Sequence, residues 1–110
     1  MNSRYSILPE DLISKGINLE SLGILEFGWK KTDALKVIEF VSENGHVILG
    51  GDVYKYENNV IDSTYDSWYT DDLASNNYKY YIEESKKMSY EYICEYAKNN
   101  GDCYIYSIIF

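Results

Sequence analysis

Five aspartates, Asp52, Asp62, Asp66, Asp71 and Asp72, fall in one stretch, VILGGDVYKYENNVIDSTYDSWYTDD (residues 47–72), together with Tyr65, Trp68 and Tyr69. Such residues can do four kinds of chemistry. Paired carboxylates run acid–base hydrolysis, clustered ones hold a cation, and carboxylates beside rings bind sugars or meet the cationic surface of another protein. Acid–base work needs two carboxyls in one cleft, which spacing alone does not establish. A calcium loop needs D-x-[DN]-x-[DN]-G, which the acids from 52 to 72 do not match. Gly50-Gly51-Asp52 lacks the G-x-x-x-x-G-K-[ST] spacing and sets a carboxylate where an anion would sit. The one histidine, His46, falls at an expected helix-to-strand junction, and Cys94 and Cys103 form no C-x-x-C pair, so neither a nucleophile–base set nor a zinc set emerges. The expectation is a protein that is not an enzyme, with no cofactor and no metal.

Charge narrows the choice of partner. The chain has 110 residues and a net charge of −8, which disfavours nucleic acid, because phosphate binding needs lysine and arginine to displace counterions. The acids are also unevenly placed: from Glu57 to Glu84 there are 7 of the 18 acidic residues (Glu57, Asp62, Asp66, Asp71, Asp72, Glu83, Glu84) and 1 of the 10 basic ones (Lys79). Tyrosines among carboxylates suit an interface for a lysine- or arginine-rich surface, since the rings add contact area at low entropy cost and the acids steer. Tyr65 and Tyr69 are the expected anchors, with Asp62, Asp66, Asp71 and Asp72 opposing basic groups. The competing structural reading makes Trp68 core and the tyrosines half-buried lids, and lets Gly50, Gly51, Asp52 and Trp68 shape the hairpin. No leader-like or membrane-spanning apolar run is present, and the thiols are unpaired, so a reducing cytoplasmic setting with no membrane contact is expected.

The elements that must position these residues read as α+β. Pro9, Glu10 and Asp11 open a short helix ending near Gly16, within a first 24 residues that form an N-terminal extension. ILEFGW (24–29) is either a strand or an irregular lead-in. Thr32 is the expected cap of a helix carrying Ala34, Leu35, Val37, Ile38 and Val41 on one face and stopping at Gly45, with Phe40 on the far side for a terminal segment to cover. From His46 the period changes to two, and Glu57-Asn58-Asn59 turns VILGGDVYKY into VIDSTYDSWY. Gly50-Gly51 marks a bulge or a close approach of another backbone or ring. Residues 81–97 return to helical spacing, with Tyr81, Ser85, Met88, Ser89, Tyr92, Ile93 and Tyr96 on one stripe, and CYIYSIIF (103–110) makes the last strand. The result is one domain over residues 1–110, a small antiparallel sheet of the hairpin plus the C-terminal strand, packed on two main helices.

Four of these segments carry a resemblance. W-x-x-x-D-A-L-x-x-I at Trp29–Ile38, VILGGDVY at Val47–Tyr54 and TYDSWY at Thr64–Tyr69 are similar to the bacterial immunity proteins of polymorphic toxin systems, in particular the immunity protein 40 family. YYIEESKKMSYEYICEY (80–96) is similar to that family's E-S-x-x-x-x-x-x-Y-I helix, and the resemblance spans about residues 25–110. It implies a cytoplasmic, non-enzymatic protein encoded beside a toxin and neutralising the cognate toxin domain by binding it. If that toxin is a nuclease, the acids would stand in for phosphates. The alternative from another class is a small carbohydrate-binding module in which Trp68 and Tyr69 stack on a sugar ring and Asp52 or Asp66 accepts hydroxyls. Homodimerisation by pairing of CYIYSIIF at a sheet edge is a further expectation.

Overall fold

A computed structural model describes residues 3–70 and 77–110. The chain opens with a 3-10 turn (Ser3–Ile7), then α1 (Glu10–Lys15), β1 (Ile17–Asn18), a second 3-10 turn (Glu20–Leu22) and β2 (Phe27–Lys30). It continues as α2 (Lys31–Glu43), β3 (Gly50–Glu57), β4 (Val60–Tyr69), α3 (Tyr78–Asn100) and β5 (Tyr104–Ile109). The five strands form one sheet in the order β1-β2-β5-β3-β4, every neighbouring pair antiparallel. The fold is α+β, with a wider sheet than the hairpin plus one strand expected.

The local signals have physical causes. The hairpin turn is Asn58-Asn59, both at positive φ (54° and 63°), the left-handed pair that matches strand twist and that asparagine tolerates. Pro9 stands just before α1 rather than in its first turn. Strand β2 runs straight into α2, so the cap position falls on Lys30, no side chain caps the helix, and Thr32 lies inside the first turn. Gly45 ends α2 at φ 82°. Asn77 caps α3, accepting from the Tyr80 amide at 3.0 Å, and the helix starts at Tyr78, before the expected Tyr81.

Helices α2 and α3 cover one face of the sheet. Ala34, Val37, Ile38 and Val41 of α2, Ile93 of α3, Trp29, Val53, Trp68, Tyr106 and Ile108 form the main core. On α3 the buried positions are Ser85, Ser89 and Ile93, with Tyr92 and Tyr96 half-buried, whereas Met88 lies on the exposed side, off the expected stripe. Serines face the sheet because their hydroxyls are used: Ser85 Oγ accepts from the Ile48 amide and donates to the Ile82 carbonyl. The sheet's second face carries a smaller cluster of Leu19, Tyr54 and Ile105, with Ile17, Leu22 and Ile24 packed on it from the segment around β1.

Two placements depart from expectation. β5 lies in the middle of the sheet between β2 and β3, so CYIYSIIF offers no free edge and dimerisation by its pairing is excluded; burial of Ile105, Tyr106, Ser107 and Ile108 on alternate faces shows why the segment is apolar on both. The first 24 residues also enter the core. Tyr5, Leu8 and Leu12 are 0%, 5% and 5% exposed, the Trp29 indole N–H donates to the Leu12 carbonyl at 2.7 Å, and the Phe27 amide donates to the Tyr5 hydroxyl at 3.2 Å. Phe40 packs against this core beside α1.

The glycine pair solves a packing problem. A β-carbon on Gly51 would overlap the Trp68 ring and the Ser107 carbonyl, and Gly50, at φ 147°, lies against the Trp68 backbone. This is the close approach that the sequence offered as one reading of the pair. The bulge lies elsewhere, on β4: between the Asp52–Ser67 and Tyr54–Ser63 pairs, Thr64, Tyr65 and Asp66 stand against Val53 alone. Gly51→Ala is expected to destabilise the fold by at least ~2 kcal/mol in denaturant titrations, because backbone on one side and a packed indole on the other leave no room to relax. Leu12→Ala, in a segment that reads as an extension, should cost about 2–4 kcal/mol by the same measurement.

Candidate functional site

Everything distinctive about the hairpin follows from where Trp68 points. Its ring faces α3, 3% exposed, stacked on Tyr92 with centroids 4.9 Å apart, and its indole N–H donates to Ser89 Oγ at 2.9 Å. The stack continues through Tyr92 and Tyr96 (6.0 Å), and Tyr96 meets Tyr104 and Tyr106 edge-on at 5.3 and 6.1 Å. These rings glue α3 to β4 and β5. The Tyr106 hydroxyl is buried among them with no hydrogen-bond partner among the described residues.

The bulge lies at the end of this stack. Thr64 donates through Oγ1 to the Val53 carbonyl at 2.7 Å, replacing a lost strand bond, and accepts from the Asp66 amide at 3.1 Å. Between them Tyr65 adopts φ 63°, the left-handed region that ordinary side chains avoid, and its ring is 92% exposed. Asp66 turns toward the helix side, where its carboxylate accepts from the Tyr96 hydroxyl at 2.8 Å. Asp62, exposed, stands opposite Lys55, whose ammonium pairs with Glu57 at 3.6 Å.

The structure brings some expected residues together and separates others. Asp62, Tyr65 and Asp66 share the exposed rim of β4, which is the outer edge of the sheet. Tyr69, 63% exposed, is on the opposite face from Trp68, beside Asp52 and Ser67. Neither tyrosine is a half-buried lid. Asp71 and Asp72 lie outside the described residues. Trp68 and Tyr69 do not form one stacking platform, because alternation sends them to opposite faces and Trp68 is enclosed; the sugar-binding alternative loses its ring pair. Sequence reading missed the Tyr96–Asp66 bond and the left-handed Tyr65, and no glycine or asparagine in S-T-Y-D marks that conformation.

Electrostatics follow burial. Desolvation pushes the Tyr96 hydroxyl up to about 12, reinforced by its bond to Asp66, and burial among the rings does the same for Tyr106. Tyr54, on the second face, is pushed up to about 12 by burial and then by the nearby Asp52 carboxylate. Burial alone raises Asp52 above the usual carboxylate range. Among the described residues no three His, Cys, Asp or Glu side chains converge to hold a metal ion, and no helix is long and apolar enough to cross a membrane. The depression beside the ring stack, lined by Tyr92, Glu95, Tyr96, Asn99 and Asn100, holds only about 190 Å³, on the small side for an enclosing ligand pocket.

Residues 18–110 match the family model for immunity protein 40. The chain belongs to this family. Its role is that of an immunity protein, in a family that is not an enzyme family. Comparison with curated proteins and with solved structures finds no match. The matched region of this immunity protein begins at Asn18, the last residue of β1, and takes in β2 to β5 together with α2 and α3, while Tyr5, Leu8 and Leu12 of its core lie before it.

The three phenols give a measurable signature. Each has a folded pKa above its unfolded value near 10, so its contribution to stability is full below about pH 10 and is lost as pH rises through about 12. A spectrophotometric titration of this immunity protein should resolve a late-titrating tyrosine class near 12. Asp66→Asn should move one member of that class to lower pH, and Tyr96→Phe should remove it.

Proposed function

We propose that this immunity protein binds a cognate toxin domain and neutralises it by occluding its active site or an adjacent surface, acting in the cytoplasm as a single domain. The docking surface is the outer rim of the β3–β4 hairpin, with Tyr65 as its central anchor, Asp62 and Asp66 beside it and Tyr69 on the adjoining face; Asp71 and Asp72, outside the described residues, join it as expected contacts by their charge alone. The partner surface is basic.

One observation carries this reading. Tyr65 is held at φ 63° with 92% of its surface exposed, so the fold bears roughly 1–2 kcal/mol of backbone cost and recovers almost nothing from the ring. A strained, solvent-facing aromatic beside two carboxylates is what binding a cationic protein surface uses, because the ring is already positioned and the charges guide encounter. The Asp66–Tyr96 bond supports it by tying the bulge to α3. The net charge of −8 adds long-range attraction for a basic partner.

The test uses the toxin domain encoded in the adjacent reading frame, made catalytically inactive. Tyr65→Gly removes the ring and accepts the left-handed backbone, so stability should stay level or rise by up to ~1 kcal/mol while affinity falls at least tenfold. Asp62→Lys should slow association about tenfold at low salt, with the difference shrinking as salt screens it. Binding by both variants at wild-type rate and affinity would remove the rim from the interface.

A further inference from the structure

The GGDVY segment contains one residue whose presence the fold does not explain. Gly50 and Gly51 are demanded by the passage of Trp68, and Val53 fills the main core at 1% exposure. Tyr54 fills the second cluster with Leu19 and Ile105. Asp52, between them, is half-buried on the second face, level with Ser67 of β4 and Ser107 of β5. Its backbone amide is used, donating to Ser107 Oγ at 3.2 Å. Its carboxylate has neither an ion pair nor a hydrogen-bond donor among the described residues, and Arg4, the basic residue of the N-terminal turn, is committed to Glu26 at 2.7 Å.

A partly desolvated carboxylate without a donor is a cost that a protein has no structural reason to keep, since asparagine or serine would fit the same space without it. The surroundings suit a cation. On the second face its neighbours Gly50, Ser67 and Ser107 are small, and although Ser107 is fully buried, Asp52 and Ser67 are only partly so, which leaves the carboxylate a side within reach of solvent. Tyr69 stands on that face directly across from Gly50, 63% exposed, where its ring can flank an incoming side chain. Burial already holds the acid above the usual carboxylate range, as expected where a charge awaits its counter-charge.

We propose that Asp52 is the seat for one lysine or arginine side chain presented by the toxin domain, with Tyr69 as its wall. The inference rests on the toxin-binding reading and extends it from the rim to the second face of the sheet. The interface then wraps the outer edge of the hairpin, Tyr65 engaging from one side and Asp52 with Tyr69 from the other. It also divides the glycine–aspartate motif by role: the glycines serve the fold and the aspartate serves the partner.

The experiment compares wild-type protein, Asp52→Asn and Tyr65→Gly against the inactive toxin domain from the adjacent frame, measuring Kd by calorimetry and melting temperature in parallel. Asparagine preserves shape and removes charge. The expected result is an affinity at least about thirtyfold weaker for Asp52→Asn, the loss typical of a charged pair stripped of one partner, with a melting temperature equal to or above wild type. A Kd within about threefold of wild type overturns the seat, and if Tyr65→Gly still weakens binding, the rim reading stands without it. Weaker binding accompanied by a lower melting temperature also overturns it, since the carboxylate would then be serving the fold. A wild-type protein that fails to bind the domain overturns the toxin-binding reading itself.

Discussion

The fold turns on one close contact, the indole of Trp68 lying over Gly51 where no β-carbon fits. With the ring in that slot, its N–H reaches Ser89 and its face meets Tyr92, so α3 is fastened to the hairpin at a single height. Strict alternation does the rest. Once Gly51 and Trp68 face the helices, Asp52, Ser67 and Tyr69 must face away, and the sides of every neighbouring residue are settled up to the bulge. The same slot explains why two glycines interrupt a strand without breaking it: the entropy they cost is offset by an aromatic packed at van der Waals distance.

The bulge then separates what the fold needs from what a partner would use. A regular β4 would send Tyr65 and Asp66 to alternate faces as part of a flat outer edge, which is a template for pairing with another chain. Placing Thr64, Tyr65 and Asp66 against Val53 alone twists that edge, points the tyrosine ring into solvent and lets the aspartate reach Tyr96. The outer strand thereby resists edge-to-edge pairing with itself while still presenting side chains. The Asp66 carboxylate serves the fold through its bond to Tyr96 and, in the proposed interface, would also face the partner.

The N-terminal residues show that a family match and a folding unit need not share a boundary. The match starts at residue 18, yet Tyr5, Leu8 and Leu12 close the main core over Trp29. The ring of Tyr5 stacks on Phe27 at 5.4 Å and meets Trp29 edge-on at 5.7 Å, and Arg4 lies over Tyr5 while pairing with Glu26. An indole N–H buried at Trp29 needs an acceptor, and the Leu12 carbonyl supplies it.

What the amino-acid order alone determined is what local periodicity encodes. The apolar stripe of α2, the long α3 closed by Gly101, the Asn58-Asn59 turn and the α+β class were all readable, because each depends on residues a few positions apart. Trp68 as core and a ring packed on Gly50-Gly51 were readable too, as one of two options. The tertiary structure alone decided the central place of β5, the entry of residues 5–12 into the core and the exposure of Met88, since strand order and helix rotation depend on contacts distant in sequence. CYIYSIIF did hold a signal, being apolar on both faces as a central strand must be. The left-handed Tyr65 had none: its conformation is imposed by the register on either side of it, and a register is a property of two strands, which no single stretch of residues contains.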